Sequence, residues 1–220
     1  MFDHLLELDR SLTLALNGSD SIILDEFMLL VTSTIVWIPM GLFLLYYVYR
    51  KMGIKTMLLL LGGILLCVFF ADLLSSGICK PLVARLRPSK EPTLYGIVDL
   101  VNNYQGGWYG FFSSHAANTM SIAVFLSLLI KRSSIVVLLV TWSLINSWSR
   151  LYLGVHYVGD VLVGLIWGVI VGWLVWLVMR KYLGRLIHID SRPVEVVILL
   201  TYAVIIVLSP ILASFQIYFR

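Results

Sequence analysis

Apolar positions in this chain run in long blocks, each closed by charged residues. Six blocks can be marked off by length and flanking charge, at residues 27–48, 56–79, 114–130, 133–149, 158–179 and 194–219. Ahead of them, residues 1–20 set leucines among Asp3, Glu7 and Asp9. That spacing predicts an amphipathic helix lying on a membrane surface, with Asn17-Gly18-Ser19-Asp20 as the turn that follows. The segment lacks a basic start and a small-residue cleavage site, so it does not read as a signal peptide. The expected fold is all-α, a single domain over residues 1–220 built as a membrane bundle of six transmembrane helices with an interfacial N-terminal helix.

Composition agrees with that pattern. Mean hydropathy is +0.96 and only 13% of residues are charged, where a soluble surface needs about 25%. No tandem repeat, low-complexity tract or soluble linker divides the chain. Cys67 and Cys79 lie on one predicted span, too far apart along a helix to pair, and read as small apolar residues.

Charge then orients the bundle. Arg50, Lys51 and Lys55 fall in the first connection, Lys131 and Arg132 in the third, and Arg180, Lys181, Arg185 and Arg192 in the fifth. Positive-inside logic puts these three in the cytoplasm. The stretches at residues 80–113 and 150–157 must then face outward, yet they hold Lys80, Arg85, Arg87, Lys90 and Arg150. Basic side chains kept on the wrong side imply an anionic ligand.

Three clusters gather at that outer end: "KPLVARLRP" from Lys80, "SSH" from Ser113, and "SRLYLGVHYVGD" from Ser149. Lys80, Arg87 and Arg150 match the charge of a phosphate, and guanidinium forks suit its oxygens. Ser113 and Ser114 stand where a helix begins, so free N–H groups can point at the same anion. His156 and Asp160 are four residues apart, neighbours on one helical face. The carboxylate can hold one ring nitrogen and leave the other as a nucleophile. Arg150 and His156 would diverge on a continuous helix, and Gly154 offers the break that brings them together.

Plainer readings suit other positions. His4 and His188 read as interfacial polar residues, and Arg85, Lys90 and Arg220 as head-group anchors. Asp72 is either an intramembrane acid or a hydrogen-bonding residue near a helix end. For the three clusters together, two histidines, an aspartate and three cations near lipid are too costly to be without purpose.

The motifs resemble a family signature. "KPLVARLRP" fits Lys, six residues, Arg-Pro; "SRLYLGVHYVGD" fits Ser-Arg, five residues, His, three residues, Asp; "FSSH" stands where Pro-Ser-Gly-His is usual. Together they resemble the type 2 phosphatidic acid phosphatase superfamily, which also includes soluble acid phosphatases and vanadium haloperoxidases. The resemblance implies that His156 attacks phosphorus to form a phosphohistidine, that Asp160 orients it and that His115 protonates the leaving group. It implies that Lys80, Arg87, Arg150, Ser113 and Ser114 bind the phosphoryl oxygens. Phe112 and Ser114 depart from the usual proline and glycine, and Ser114 suits only if its backbone needs no glycine-type conformation.

The expected activity is dephosphorylation of a lipid phosphate or diphosphate at the outer face of a cytoplasmic membrane. Undecaprenyl diphosphate is preferred, with phosphatidylglycerophosphate, phosphatidate and lipid A phosphates as alternatives. A lipid phosphotransferase would use the same residues. A transporter would instead gather its polar residues near the midplane in repeated halves, and a haloperoxidase has less need of lipid. No carboxylate cluster is evident, so neither a metal nor another cofactor is expected, and the partners are the lipid substrate and the bilayer, without nucleic acid. The blocks at 114–130 and 133–149, 17 residues each, cover only about 25 Å and would sink the site slightly below the outer boundary. Trp108, Tyr109, Phe111 and Phe112 would line its access from lipid.

Overall fold

The computed structural model describes residues 2–219, with the side chains of all but 2, 185, 187 and 216–219. Arg220 and the Arg185 side chain, both assigned roles above, lie outside the described residues. The helices are α1 (Phe2–Ala15), α2 (Ile22–Thr32), α3 (Thr34–Met52), α4 (Ile54–Asp72), α5 (Lys80–Val83), α6 (Ser114–Ile130), α7 (Ser133–Tyr152), α8 (Val158–Leu183) and α9 (Arg192–Phe219). A π-helical stretch, Leu73–Cys79, joins α4 to α5. Among the described residues there is no strand; one isolated bridge pairs Leu86 with Tyr109.

Four helical segments are long and apolar enough to cross a membrane, five if α2 and α3, bent by 48°, count as one. The six expected spans thus become four to five, plus α6, an apolar helix of 17 residues. The block expected at 133–149 runs on to Tyr152 and has 20 residues, so it reaches about 30 Å and only α6 is short. The first expected span is broken at Ser33, whose backbone is extended. Two side-chain hydrogen bonds satisfy groups at the break: the freed Val31 carbonyl accepts from Trp37 Nε1 at 2.8 Å, and Thr32 Oγ1 accepts from Arg150, 118 residues on.

The core is organised around α6, which packs on α4, α7 and α8. A helix apolar on all sides has no face for water, and α6 buries residues all around its circumference. On α8, Gly164, Gly168 and Gly172 recur every fourth residue and face α6. A Cβ at these positions would stand 2.5 Å from Ser113 O, 2.7 Å from Ala117 O and 2.4 Å from Ser121 O. Small residues at this spacing let two backbones close together. The approach also sets the start of α8 against the start of α6, where Ser113 N–H donates to the Asp160 carbonyl at 3.0 Å.

The N-terminal helix α1 exposes Leu5, Leu8 and Leu12 and turns a neighbouring face, with Asp9 and Thr13, to the first turn of α8. Val158 N–H donates to Thr13 Oγ1 at 3.0 Å and Gly159 N–H to Asp9 Oδ1 at 2.7 Å. Two of the free N–H groups at that helix start are thus capped from another element.

Candidate active site

Arg150 lies in the last turn of α7, which ends at Tyr152. Gly154 then takes a left-handed conformation, φ +66°, and Val155 N–H returns to the Arg150 carbonyl at 3.1 Å. The reversal is the one expected of Gly154. It brings His156 back beside the end of α7, immediately before α8 begins.

His156 is 1% exposed. Its Nε2 lies 3.3 Å from an Arg87 terminal nitrogen, and its Nδ1 lies 3.4 Å from Asp160 Oδ2. Burial holds the imidazole well below its ordinary pKa, and the charges of Arg87, Arg150 and Lys80 push the same way against a hydrogen bond to the Gly110 backbone. Nδ1 therefore carries the proton toward Asp160 and Gly110, and Nε2 presents its lone pair among the cations.

Those cations come in two kinds. Lys80 donates to Ser76 Oγ and Ser114 Oγ, both at 2.9 Å. Arg87 donates to the carbonyls of Tyr109 and Val155, both at 3.1 Å; burial and the charge of Arg150 lower its guanidinium to about 10, still charged at neutral pH. Arg150, 3% exposed, donates to Thr32 Oγ1 and, at 3.0 Å, to the Tyr104 hydroxyl, while its buried Nε has no partner. Among the described residues none of these three is paired with a carboxylate. Arg85 is of the other kind. It forks between Asp160 Oδ1 at 3.0 Å and Asp9 Oδ2 at 2.7 Å, with its guanidinium 3.9 Å over the Tyr157 ring. The head-group anchor expected at Arg85 is thus corrected: its charge is spent inside the protein, on the carboxylate behind His156.

Asp160 is fully buried and does more than face His156. Its Oδ2 also accepts the Tyr157 N–H at 3.0 Å, a cap on the first turn of α8. Ser113 caps α6, its Oγ accepting from Ala116 N–H at 3.5 Å. Ser114 is the first residue of α6 and is not among the described residues with positive φ, so no glycine conformation is required there. His115, one residue on, lies within electrostatic reach of Arg150, His156, Lys80 and Arg87 and lines a cavity with Thr34, Asn118, Trp142 and Asn146.

All eight positions singled out in the three clusters therefore meet at one end of the bundle. His4 and His188 are exposed and lie apart. Asp72 ends α4, partly buried. Lys90 sits 5.5 Å over the Trp108 ring, which is exposed with Tyr109. Phe112 is no part of an access route: it is buried against Ala71 and Ala117. Besides Arg85, the sequence reading missed Asp9, Tyr104 and Gly110. A Cβ at Gly110 would lie 2.9 Å from Asp160 Oδ2, and the only signal for it was a glycine-rich run before "FSSH". Among the described residues, no three His, Cys, Asp or Glu side chains form a group able to hold a metal ion.

A family model, two named proteins and one solved structure are similar to this chain. The family model described as PAP2 superfamily matches residues 56–184. A protein of Bacteroides thetaiotaomicron named lipid A 4'-phosphatase is 38% identical over 187 residues, 84% of this chain and 83% of that protein. One of the same name from Porphyromonas gingivalis is 36% identical over 179 residues, 79% of this chain and 74% of that protein. The crystal structure of Aquifex aeolicus LpxE aligns with a TM-score of 0.61 at 24% identity, covering 80% of this chain and 96% of that one.

Proposed function

Because the chain belongs to the PAP2 superfamily and is a lipid phosphatase of that type, we propose that its substrate is a lipid A phosphate, the 4'-phosphate, removed through a phosphohistidine. The phosphate assignment is carried by one observation: among the described residues, three cations without carboxylate partners surround the buried His156 ring. An uncompensated buried cation is costly, and a bound phosphoryl group would supply the missing charge. The lipid assignment draws on the two relatives, each matched over most of its length. The preference for undecaprenyl diphosphate has no support among them, and lipid A phosphate, one of its alternatives, takes its place.

In this reading Lys80, Arg87 and Arg150 hold the phosphoryl oxygens, with the N–H groups that open α6. His156 Nε2 forms a bond to phosphorus as the P–O ester bond breaks in line, and His115 gives its proton to the leaving alkoxide. Water then attacks the phosphohistidine and returns a proton to His115, and inorganic phosphate departs. Asp160 and the Gly110 backbone hold the His156 Nδ1–H throughout. The site faces outward, because the basic connections at residues 50–55, 131–132 and 180–192 occupy the other end.

The test is hydrolysis by purified enzyme in mixed micelles, with lipid A, undecaprenyl diphosphate and phosphatidate supplied singly without an acceptor lipid. Phosphorus NMR should show loss of the lipid A 4'-phosphate, release of free phosphate and much slower turnover of the other two. Preferred hydrolysis of undecaprenyl diphosphate would reject the substrate, and an absence of free phosphate until an acceptor is added would make the enzyme a transferase.

A further inference from the structure

We propose that the leaving-group side of the site continues into a groove for one acyl chain of the substrate itself, running from His115 between α3, α6 and α7. This rests on the lipid phosphatase reading above.

In an in-line reaction the attacking and leaving atoms lie on opposite sides of phosphorus, so the body of the lipid departs away from His156. His115, which protonates the leaving oxygen, must stand on that side. It lines a cavity of about 310 Å³ whose walls include Thr34, Asn118, Trp142, Asn146 and Thr32, the acceptor of Arg150. Deeper in the bundle lies a second cavity of about 220 Å³, apolar except for Thr34, whose walls include Ile38, Gly41 and Leu44 of α3 and Leu126 of α6. The two share Thr34, Trp37, Ile122 and Trp142. They therefore adjoin across these side chains, one polar beside His115 and the other apolar beyond the tryptophans, whose rings meet edge-on at 5.8 Å; the proposed groove runs through both.

That change of polarity matches an acyl chain near its point of attachment. Asn118 Oδ1 is buried without a partner. As an acceptor it suits an N–H or O–H, which an amide-linked or hydroxylated acyl group carries and a plain isoprenoid lacks. The break between α2 and α3 falls at Ser33, beside the Thr34 that both cavities share.

Gly41 offers a test that leaves the phosphate site alone. It lines the groove, and a Cβ built on it meets nothing within 4 Å, so a side chain can start there without a clash, and Gly41→Leu and Gly41→Phe are the variants chosen to narrow the groove. Both are read against Leu42→Phe, one residue along α3 where the side chain is 61% exposed. On whichever long-chain lipid phosphate the native enzyme turns over fastest, kcat/KM should fall about tenfold or more with Phe and less with Leu. A water-soluble phosphomonoester should be hydrolysed at the native rate by both variants, which also shows that they are folded, and Leu42→Phe should change neither. Unchanged hydrolysis of the long-chain substrate by Gly41→Phe would overturn the proposal and leave the groove to bilayer lipid, and parallel loss on both substrates at both side-chain sizes would overturn it as well. If the preferred long-chain substrate is not lipid A, the substrate assignment fails, whereas the groove stands or falls on the Gly41 series alone.

Discussion

His156 and His115 meet the same three cations from opposite kinds of surroundings. On the His156 side every group is held by another. The ring lies between Arg87 and Asp160, Asp160 is fixed by Arg85 and the Tyr157 N–H, and Arg85 is fixed in turn by Asp9 of α1. On the His115 side there is a cavity, with an unpartnered Asn118 Oδ1 and a helix broken at Ser33. In the proposed mechanism the attacking atom must arrive in one geometry whatever lipid is bound, and preorganisation by fixed hydrogen bonds serves that need. The leaving side must admit a bulky group and let it go, so it is left open. Rigidity and room are thus divided between two faces of the proposed phosphate site.

The largest effect should come from the rigid side. His156→Gln is expected to lower turnover by at least about 10⁴-fold, near 5.4 kcal/mol, and equally for a lipid phosphate and an activated aryl phosphate, since neither can react without the attacking nitrogen. A phosphorus assay on both substrates measures this. The same histidine should remain neutral where an ordinary one is half protonated. Its pKa is depressed, so its ¹⁵N signals, assigned by their loss in His156→Gln, should show no protonation step as pH falls through 6.5. A step at that pH would mean that the imidazole is not buried among cations.

His115→Asn should cost less, and unequally. General acid catalysis is worth about 10²–10⁴-fold, but only where the leaving oxygen needs a proton. The lipid alkoxide does and a nitrophenolate does not, so the loss should appear on the lipid and largely vanish on the aryl ester. Equal loss on both would erase the contrast between the two histidines.

How much of this was legible beforehand follows from what each feature depends on. The clusters at Lys80, Ser113 and Arg150 carry chemistry in residue type and spacing, and the alternation of spans brings them to one end. Gly154 was legible as well, because two residues six apart cannot share a site on one helix. Arg85 was not. Its role depends on Asp9, 76 residues away, and a basic residue beside lipid looks the same in sequence whether it meets a head group or a carboxylate. Hydropathy counted α2 and α3 as one span because an apolar average does not register the side-chain hydrogen bonds at the Ser33 break, one from Trp37 in the next turn and one from Arg150, 118 residues away. The glycine stripe of α8 was present in the sequence at four-residue spacing, but an apolar block hides small residues among large ones.

Arg85 lies between rigidity and catalysis, and the next effect is correspondingly moderate. Arg85→Gln should leave KM near its native value, since Lys80, Arg87 and Arg150 still bind phosphate, and should lower kcat by about 10–100-fold, roughly 1.4–2.7 kcal/mol. Arg85→Lys should recover part of this, a single ammonium meeting one of the two carboxylates that the guanidinium fork holds together. Asp9→Asn should follow the same split with a smaller drop in kcat. Steady-state kinetics on one lipid substrate decides it: a rise in KM with kcat intact would make Arg85 a phosphate ligand.

The smallest effect belongs to Ser114, where this chain departs from the usual glycine. Its backbone is ordinary first-turn helix, so Ser114→Gly relieves no strain, and the N–H groups at the start of α6 stay in place. What is lost is the hydroxyl that accepts from Lys80 Nζ at 2.9 Å. Lys80 keeps its second partner, Ser76, and a bound phosphoryl oxygen would replace the missing acceptor, so the ammonium is not stranded. The added glycine costs the helix up to about 1 kcal/mol of propensity, less at its first residue. The expected outcome is a change in kcat/KM of less than about fivefold, below 1 kcal/mol, with a slightly lower Tm. A loss approaching that of Arg85→Gln would move Ser114 from neighbour of Lys80 to direct ligand of the phosphate, and would extend the rigid side of the site across the start of α6.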